Sequence, residues 1–526
     1  MAAASPNAAA EWHPPAHNPW LIALAVMSAT FMEILDTSVA NVSLPHIAGN
    51  LSVTTNEATW VLTSYLVSNA IVLPITGWLS LRFGRKRLLV LCILLFTAAS
   101  VLCGMATSLP FLIVARILQG IGGGAMMPIS QAILLESFPP AKRGQAMAAF
   151  AMGVIVAPIL GPTLGGWITD NYSWRWIFYI NLPVGLLAIA LANAFIEDPP
   201  YIKSAKVEKI DSLGFFLLAV WLATLQIVLD KGQQEDWFES SWIRWFSILS
   251  AISFIAFVVR ELMTRHPIVD LRIFGNRNFA TGVALITLIG VVLYGTTAAL
   301  PIFLQTLLGY PALQSGEVMS PRGIGAFIAT MIVGRLVGKV PSKGLIAVGF
   351  TLLACASFLL ARLNVQMRQI DIIWPSVLNG IAVSLIFVPL TTTTMGQLSQ
   401  ERMGNASGIY NLMRNLGGGF GIAAVTTIID RASQKHQASM ISHLTPFDPI
   451  YQERLASIAA ALTPQAGDYA AQAQATGILY NIMQQQAQLA AFVDNFRLFG
   501  IICIICVPLV FLFKRVQAKA VKADIH

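Results

Sequence analysis

WLIALAVMSATFMEILDTSVANVSL, from Trp20 to Leu44, is an apolar run that carries two carboxylates, Glu33 and Asp36. About 20 apolar residues suffice for a helix to cross the hydrocarbon core of a bilayer, so the run is long enough to span. An acid inside a span costs on the order of 2.5 to 3.5 kcal/mol, and such residues face a cavity or a partner rather than lipid. Glu33, Asp36, Thr37 and Asn41 recur at steps of three and four and therefore share one polar stripe of a helix. Burial favours the protonated form of a carboxyl group, which makes Asp36 and Glu33 candidates for loading and releasing a proton. The alternative role is structural, as acceptors for neighbouring helices.

The rest of the chain is of the same kind. Of 526 residues, 56% are hydrophobic and 11% charged, and the mean hydropathy is +0.69. A soluble domain carries roughly 25% charged residues, so a cytosolic enzyme is excluded. Further apolar runs lie at about 58 to 79, 88 to 106, 110 to 134, 146 to 168, 175 to 195, 211 to 229 and 242 to 262. Others follow at about 279 to 304, 321 to 340, 343 to 361, 371 to 395, 406 to 430 and 492 to 513. Fourteen spans put both termini on one side. The first twenty residues have no Lys or Arg, unlike a cleaved signal, so the first run is expected to be retained.

The formal charge is +8 and the pI about 9.3. The basic residues fall in short loops between spans, which fits topology and not nucleic-acid binding. On the terminal side lie Arg82, Arg85, Lys86 and Arg87, then Lys142 and Arg143, Lys203, Lys206 and Lys209, Arg260, Arg265, Arg272 and Arg277. Arg335, Lys339, Lys343, Arg402 and Lys514, Arg515, Lys519 and Lys522 complete that side, which should therefore be cytoplasmic. All five cysteines sit in apolar runs, and Cys503 and Cys506 are expected to pack toward lipid. No nucleotide loop, clustered His or nucleophile motif is present, so an ion gradient and not a cofactor, metal or ATP should supply the energy. No charged ring or carbonyl filter suggests a channel.

Other constellations stand out. Arg116, with Gln119 and Gly120 on its face, lies inside the fourth span. An arginine stays charged there and needs an acidic partner, either to control proton affinity or as a structural pair. In the fifth span Gly153, Ala157, Gly161 and Gly165 repeat every four residues, a groove for a close neighbour, beside Pro158 and Pro162, which loosen the helix. Arg414, with Gly417, Gly418, Gly419 and Gly421, echoes this pattern in the thirteenth span as an internal repeat would. The stretch 431–491 is the longest connection, rich in Ala and Gln. It reads as an outer-side helical hairpin, or as a solvated connector.

These motifs resemble a known family. LDTSVANVSLP (Leu35 to Pro45), GWLSLRFGRK (Gly77 to Lys86), RILQGIGGGA (Arg116 to Ala125) and GVIVAPILGPTLGG (Gly153 to Gly166) are similar, in this order, to motifs of drug:proton antiporters of the major facilitator superfamily. DKGQQEDW (Asp230 to Trp237), PIVDL (Pro267 to Leu271) and PLTTTT (Pro389 to Thr394) extend the resemblance over most of the chain. It implies an all-α membrane protein with the fourteen-helix major facilitator fold: a tail at 1–19, a six-helix bundle at 20–195, two inserted helices at 211–262, a second bundle at 279–513 and a tail at 514–526.

The resemblance also implies roles. Asp36, Glu33 and Arg116 would couple protons, and Asn41, Gln119 and Arg414 would contact substrate. Gly153, Pro158, Gly161, Pro162, Gly165 and Gly166 form the antiporter motif, and Gly77, Arg82, Gly84, Arg85 and Lys86 the cytoplasmic loop motif. Leu81 stands where that motif usually has an acid, and GRLVGK (Gly334 to Lys339) has none either, so a gating charge cluster is not expected. Arg322 reads as an outer-side charge without a role. The implied function is proton-driven export of small lipophilic compounds from a bacterial inner membrane, with a periplasmic adaptor protein and, through it, an outer-membrane channel. Export of one endogenous product, a siderophore or fatty acid, is the alternative on the same scaffold.

Overall fold

The structure, a computed structural model, describes residues 15–199, 211–265, 267–337, 339–396, 398 and 402–514. Lys203, Lys206, Lys209, Arg515, Lys519 and Lys522 lie outside the described residues, as do most of both tails. Helices one to six are Pro19–Leu51, Trp60–Phe83, Arg85–Gly104, Leu109–Ser137, Arg143–Asn171 and Trp176–Phe195. Helices seven and eight are Ser212–Lys231 and Ser241–Met263. Nine to fourteen are Arg277–Leu307, Pro321–Leu336, Ser342–Leu360, Gln369–Met395, Met403–Ile441 and Asp468–Val510.

Among the described residues, thirteen helices are long and apolar enough to cross a membrane. The exception is helix ten, with 16 residues. At 1.5 Å per residue it extends about 24 Å, less than the ~30 Å hydrocarbon core. A separate helix, Ala312–Met319, leads into it and breaks from it at Ser320. Pro321 starts the new helix where its missing N–H costs nothing. Helix four is likewise two pieces, Leu109–Gly124 and Met126–Ser137, divided after the run Gly122 to Gly124.

Two similar bundles result. Helix five packs along helix one as thirteen packs along nine. Two packs on four as ten packs on twelve, and three packs on six as eleven packs on fourteen. The glycine patterns make the first of these contacts possible. A Cβ at Gly161 would meet Ser38 Oγ at 2.2 Å, and one at Gly417 would meet the Thr287 carbonyl at 2.1 Å. Gly153 and Gly166 have no such close neighbour, so the groove is occupied over only part of its expected length. Pro158 lies within this contact, where its carbonyl accepts from Ser38 Oγ at 3.1 Å. Pro162 lies in the same helix, but its side chain is outside the described ones.

Helix one starts beside the end of helix four, Trp20 against Phe138, and the chain after helix fourteen meets the start of helix nine, Lys514 against Asn278. The side of these ends is the terminal side. Direct contacts between the bundles concentrate there. Gly77 of helix two faces the Asn405 backbone, Gly144 faces Val337 and Gly334 faces Ala148. Ser407 Oγ donates to the Pro128 carbonyl at 3.0 Å, and Asn411 Nδ2 donates to Gln131 Oε1 at 2.7 Å.

Toward the opposite side the short helix Ala312–Met319 lies against helix five, where a Cβ at Gly316 would come within 3.5 Å of Thr163 Oγ1. The DKGQQEDW segment after helix seven adds an indirect link. Thr63 donates to Asp230 and Lys231 donates to Thr59, both on the first bundle. Gln233 Nε2 donates to Asp430 Oδ2 at 3.0 Å and Trp237 Nε1 to Thr427 Oγ1 at 3.1 Å, both on helix thirteen.

The helical hairpin expected in the stretch 431–491 is present, whereas the expectation for the cysteines changes. The stretch 431–491 is almost wholly helical. Helix thirteen continues to Ile441, Pro449–Ala466 forms one arm, and helix fourteen begins at Asp468 after Gly467 turns the chain with φ +76°. The two arms pack together, and His436 and Gln437 of helix thirteen reach Asp494 and Tyr480 at 2.8 and 3.0 Å. Cys503 and Cys506 do not face lipid. Both are buried, while Ile504 and Ile505 between them are exposed, because the helical turn aims the two pairs in opposite directions.

Candidate functional site

The stripe on helix one supplies the chemistry. Asp36 is buried, and its two oxygens accept from three residues on two other helices, four and six. Arg116 Nη1 donates to Oδ2 at 2.6 Å, while Gln119 Nε2 and Asn181 Nδ2 donate to Oδ1 at 2.9 and 2.7 Å. Arg116, wholly buried, also donates from Nη1 to Gln119 Oε1 at 2.8 Å and from Nε to the Val61 carbonyl at 3.1 Å. Its guanidinium lies 4.5 Å from the Tyr65 ring centroid and 5.5 Å from that of Phe178. Asn181 is held in turn by Ser100 Oγ at 3.0 Å.

One carboxylate thus ties together helices one, three, four and six, with the Val61 carbonyl and Tyr65 of helix two against its partner. Removal of one partner from such a buried set leaves an uncompensated charge, and Arg116 Nη2 already lacks a hydrogen-bond partner among the described residues. No ring of acids accompanies it. Among the described residues no three His, Cys, Asp or Glu side chains gather as metal ligands.

Glu33, one turn away, is held differently. Asn69 Nδ2 donates to its Oε1 at 3.1 Å, whereas Oε2 is buried without a hydrogen-bond partner. It lies within electrostatic range of Asp36 and of Arg414, which belongs to the other bundle. Arg414 crosses toward the first bundle, where its Nη2 meets Met127 Sδ at 2.9 Å, and its Nε has no hydrogen-bond partner.

The sequence pattern describing the Major Facilitator Superfamily matches residues 26–422. The chain belongs to the major facilitator superfamily. It is therefore a transporter and not an enzyme. This facilitator is 38% identical over 435 residues to the multidrug export protein EmrB of Haemophilus influenzae, covering 82% of this chain and 84% of that one. It is 37% identical over 495 residues to the fatty acid resistance protein FarB of Neisseria gonorrhoeae, covering 94% and 96%. Among solved structures, the proton:xylose symporter XylE aligns with a TM-score of 0.62 at 15% identity, covering 94% of this chain and 95% of that one, a likeness of fold.

Within the facilitator, the residues expected to act together divide into separate groups. Asp36, Arg116 and Gln119 form one cluster, so Gln119 is taken up by the ion pair rather than offered to substrate. Asn41 is exposed at the far end of the stripe. Gly161 and Gly165 of the antiporter motif press on Ser38 and Val39, two and three residues beyond Asp36.

The loop motif forms a charge cluster after all, with acids from elsewhere in the chain. Arg85, buried, pairs with Glu136, which is half-buried at the end of helix four. Lys86 donates from its backbone to Asp198 Oδ1 at 2.9 Å and from Nζ to the Asn193 carbonyl at 2.7 Å. Gly84, at φ +81°, gives the turn that brings Asp198 close. Arg82 is exposed. These bonds all stay within the first bundle, where they staple helices three, four and six together.

Asn181, Tyr65, Asn69, Glu136 and Asp198 were missed by sequence reasoning. The first three are polar groups within apolar runs, a signal present in the sequence. The last two sit at span ends, where acids are ordinary.

Proposed function

We propose that this facilitator is a proton-driven exporter of lipophilic and amphiphilic toxic compounds. Its terminal side faces the cytoplasm of a bacterial cell whose inner membrane it spans. The observation that carries the reading is the Asp36 cluster: a single carboxylate, shielded from solvent, whose charge is the common acceptor for groups on several helices of one bundle. A proton arriving at Asp36 removes that charge, leaves Arg116 without its counter-ion and loosens helices one, four and six from one another. Ser38 and Val39 transmit the change to helix five through Gly161 and Gly165, and helix five touches the second bundle through helix ten. Parallel halves that rock about a central site exchange access in this way. Glu33, with one oxygen lacking a hydrogen-bond partner and within electrostatic range of Arg414, is a second carboxylate able to report the proton state across the interface between the halves.

The names of the relatives support export of toxic compounds and admit a narrower reading. Likeness to FarB over nearly the whole chain favours fatty acids as the substrate class. The hairpin of 449–466 and the start of helix fourteen exposes Phe447, Ile450 and Tyr469 on the outer side, apolar surface suited to a periplasmic adaptor that leads to an outer-membrane channel. Proteoliposomes given a pH gradient and a panel of lipophilic cations, neutral compounds and fatty acids test the reading. Gradient-dependent movement of several chemical classes supports multidrug export, movement of one class supports the narrower reading, and movement of none refutes both.

A further inference from the structure

One half-buried cation has no place in that scheme. Arg322 lies in the first turn of helix ten, on the stripe that carries Ala326, Ala329 and Val333, all buried. Ile324, Phe327, Ile328 and Met331 on the other face are exposed, as lipid-facing residues are. Arg322 therefore faces inward and is half-buried.

Its depth follows from its neighbours. A Cβ at Gly380, near the middle of helix twelve, would lie 2.0 Å from the Arg322 carbonyl oxygen. Arg322 Nη1 donates to Thr297 Oγ1 of helix nine at 2.9 Å. A charge that the sequence places on the outer side thus sits about halfway across, where facilitators bind substrate.

A charge withdrawn even partly from water is costly without a partner. Among the described residues Thr297 is the hydrogen-bond partner of the guanidinium, and no carboxylate, Glu317 of the preceding helix included, pairs with it. The N-terminal end of helix ten adds its own partial positive charge. At the same level, buried Thr296, Ser376 and Asn379 have side-chain polar atoms without hydrogen-bond partners among the described residues. Positive potential with uncommitted polar groups, deep in an apolar interior, is complementary to a monoanion on an apolar body.

We propose that Arg322 anchors the carboxylate, or a similar monoanionic head group, of an amphiphilic substrate. The inference rests on the exporter reading and narrows its substrate class. Two measurements test it, both on the full chain.

The first is binding of a fluorescent fatty acid to the detergent-solubilised protein, with a lipophilic cation as control. Arg322→Gln should weaken fatty-acid binding at least about tenfold, the worth of a charge-assisted hydrogen bond. Arg322→Lys should retain most of it, and cation binding should be unchanged in both variants. Equal loss of both ligands, or loss of neither, overturns the inference. The second is transport of the same two compounds in proteoliposomes of zwitterionic lipid, and in a second set containing anionic lipid. Selective loss of fatty-acid transport in both sets supports the anchor. Loss only with anionic lipid assigns the site to a lipid head group and overturns it. Arg322-dependent binding without any transport by the unaltered protein refutes the exporter reading and leaves the anchor standing.

Discussion

Arg116 and Asp36 meet at 2.6 Å with side chains 0% and 1% exposed, and both remain inside one half of the transporter. The pair is therefore not a lock between halves that opens when they rock. It governs how the first bundle holds together, and the halves sense it through helix five. Beside the charged Arg414, which meets Met127, the contacts between halves include neutral hydrogen bonds of modest strength, Ser407 with Pro128 and Asn411 with Gln131. They can be broken and remade in each cycle without a charge being stranded in lipid.

The inserted helices should show a pH-dependent attachment. Asp211 caps helix seven, accepting from Gly214, and receives Arg260 of helix eight through Nε and Nη2 at 2.9 and 3.1 Å. The bonds from Arg260, ahead of the backbone bond from Gly214, hold its carboxyl below the usual carboxylate range. A depressed carboxylate contributes stability that is present above its unfolded value, about 3.9. That contribution is lost as pH falls through the folded value. Asp211→Asn keeps a capping side chain and removes the charge, so it should lower the thermal midpoint at neutral pH, with a gap from the unaltered protein that closes toward acid. A gap independent of pH would place the effect elsewhere.

Much of this was legible in the sequence, and for physical reasons. Spans are written as long apolar runs, and helix ten alone fell short because Pro321 cuts the helix that precedes it. Asp36 and Arg116 stood out because lipid penalises charge, and the structure brings them together. The placement of Gln119 was not legible, since an amide serves a substrate or an ion pair equally well. The acids facing the loop motif, Glu136 and Asp198, come from positions about 50 and 110 residues further on, and nothing local pairs them with Arg85 or Lys86. The depth of Arg322 was hidden because the sequence does not say that the helix before it already enters the membrane region.

The DKGQQEDW segment should limit how far the outer ends of helices two and thirteen separate. Replacing Gln233 by Ala and Trp237 by Phe removes its bonds to Asp430 and Thr427, each worth about 1 kcal/mol, and leaves the bonds to Thr59 and Thr63. Distances between spin labels at the outer ends of these two helices should broaden and lengthen in the double variant. An unchanged distribution would reduce the segment to a connector.

Removal of the hairpin, residues 450 to 485 replaced by a flexible linker, should abolish resistance in cells and spare transport in liposomes, where no adaptor is present. Arg431, Lys435 and Arg454 balance Asp448, Glu453 and Asp468 over the stretch 431–491, so adaptor binding should tolerate salt. Resistance that survives the deletion, or an adaptor that still co-purifies, would contradict this.

The most direct test of the account is Asp36→Asn in proteoliposomes, with export followed at several pH gradients. Asparagine fills the same space and keeps a polar contact, but it cannot gain or lose a proton. The account predicts export at the level of empty liposomes under every gradient, while exchange of labelled for unlabelled substrate without a gradient continues, which shows a folded and substrate-competent protein. Gradient-driven export at the unaltered rate, with the same pH dependence, would show that Asp36 does not carry the proton.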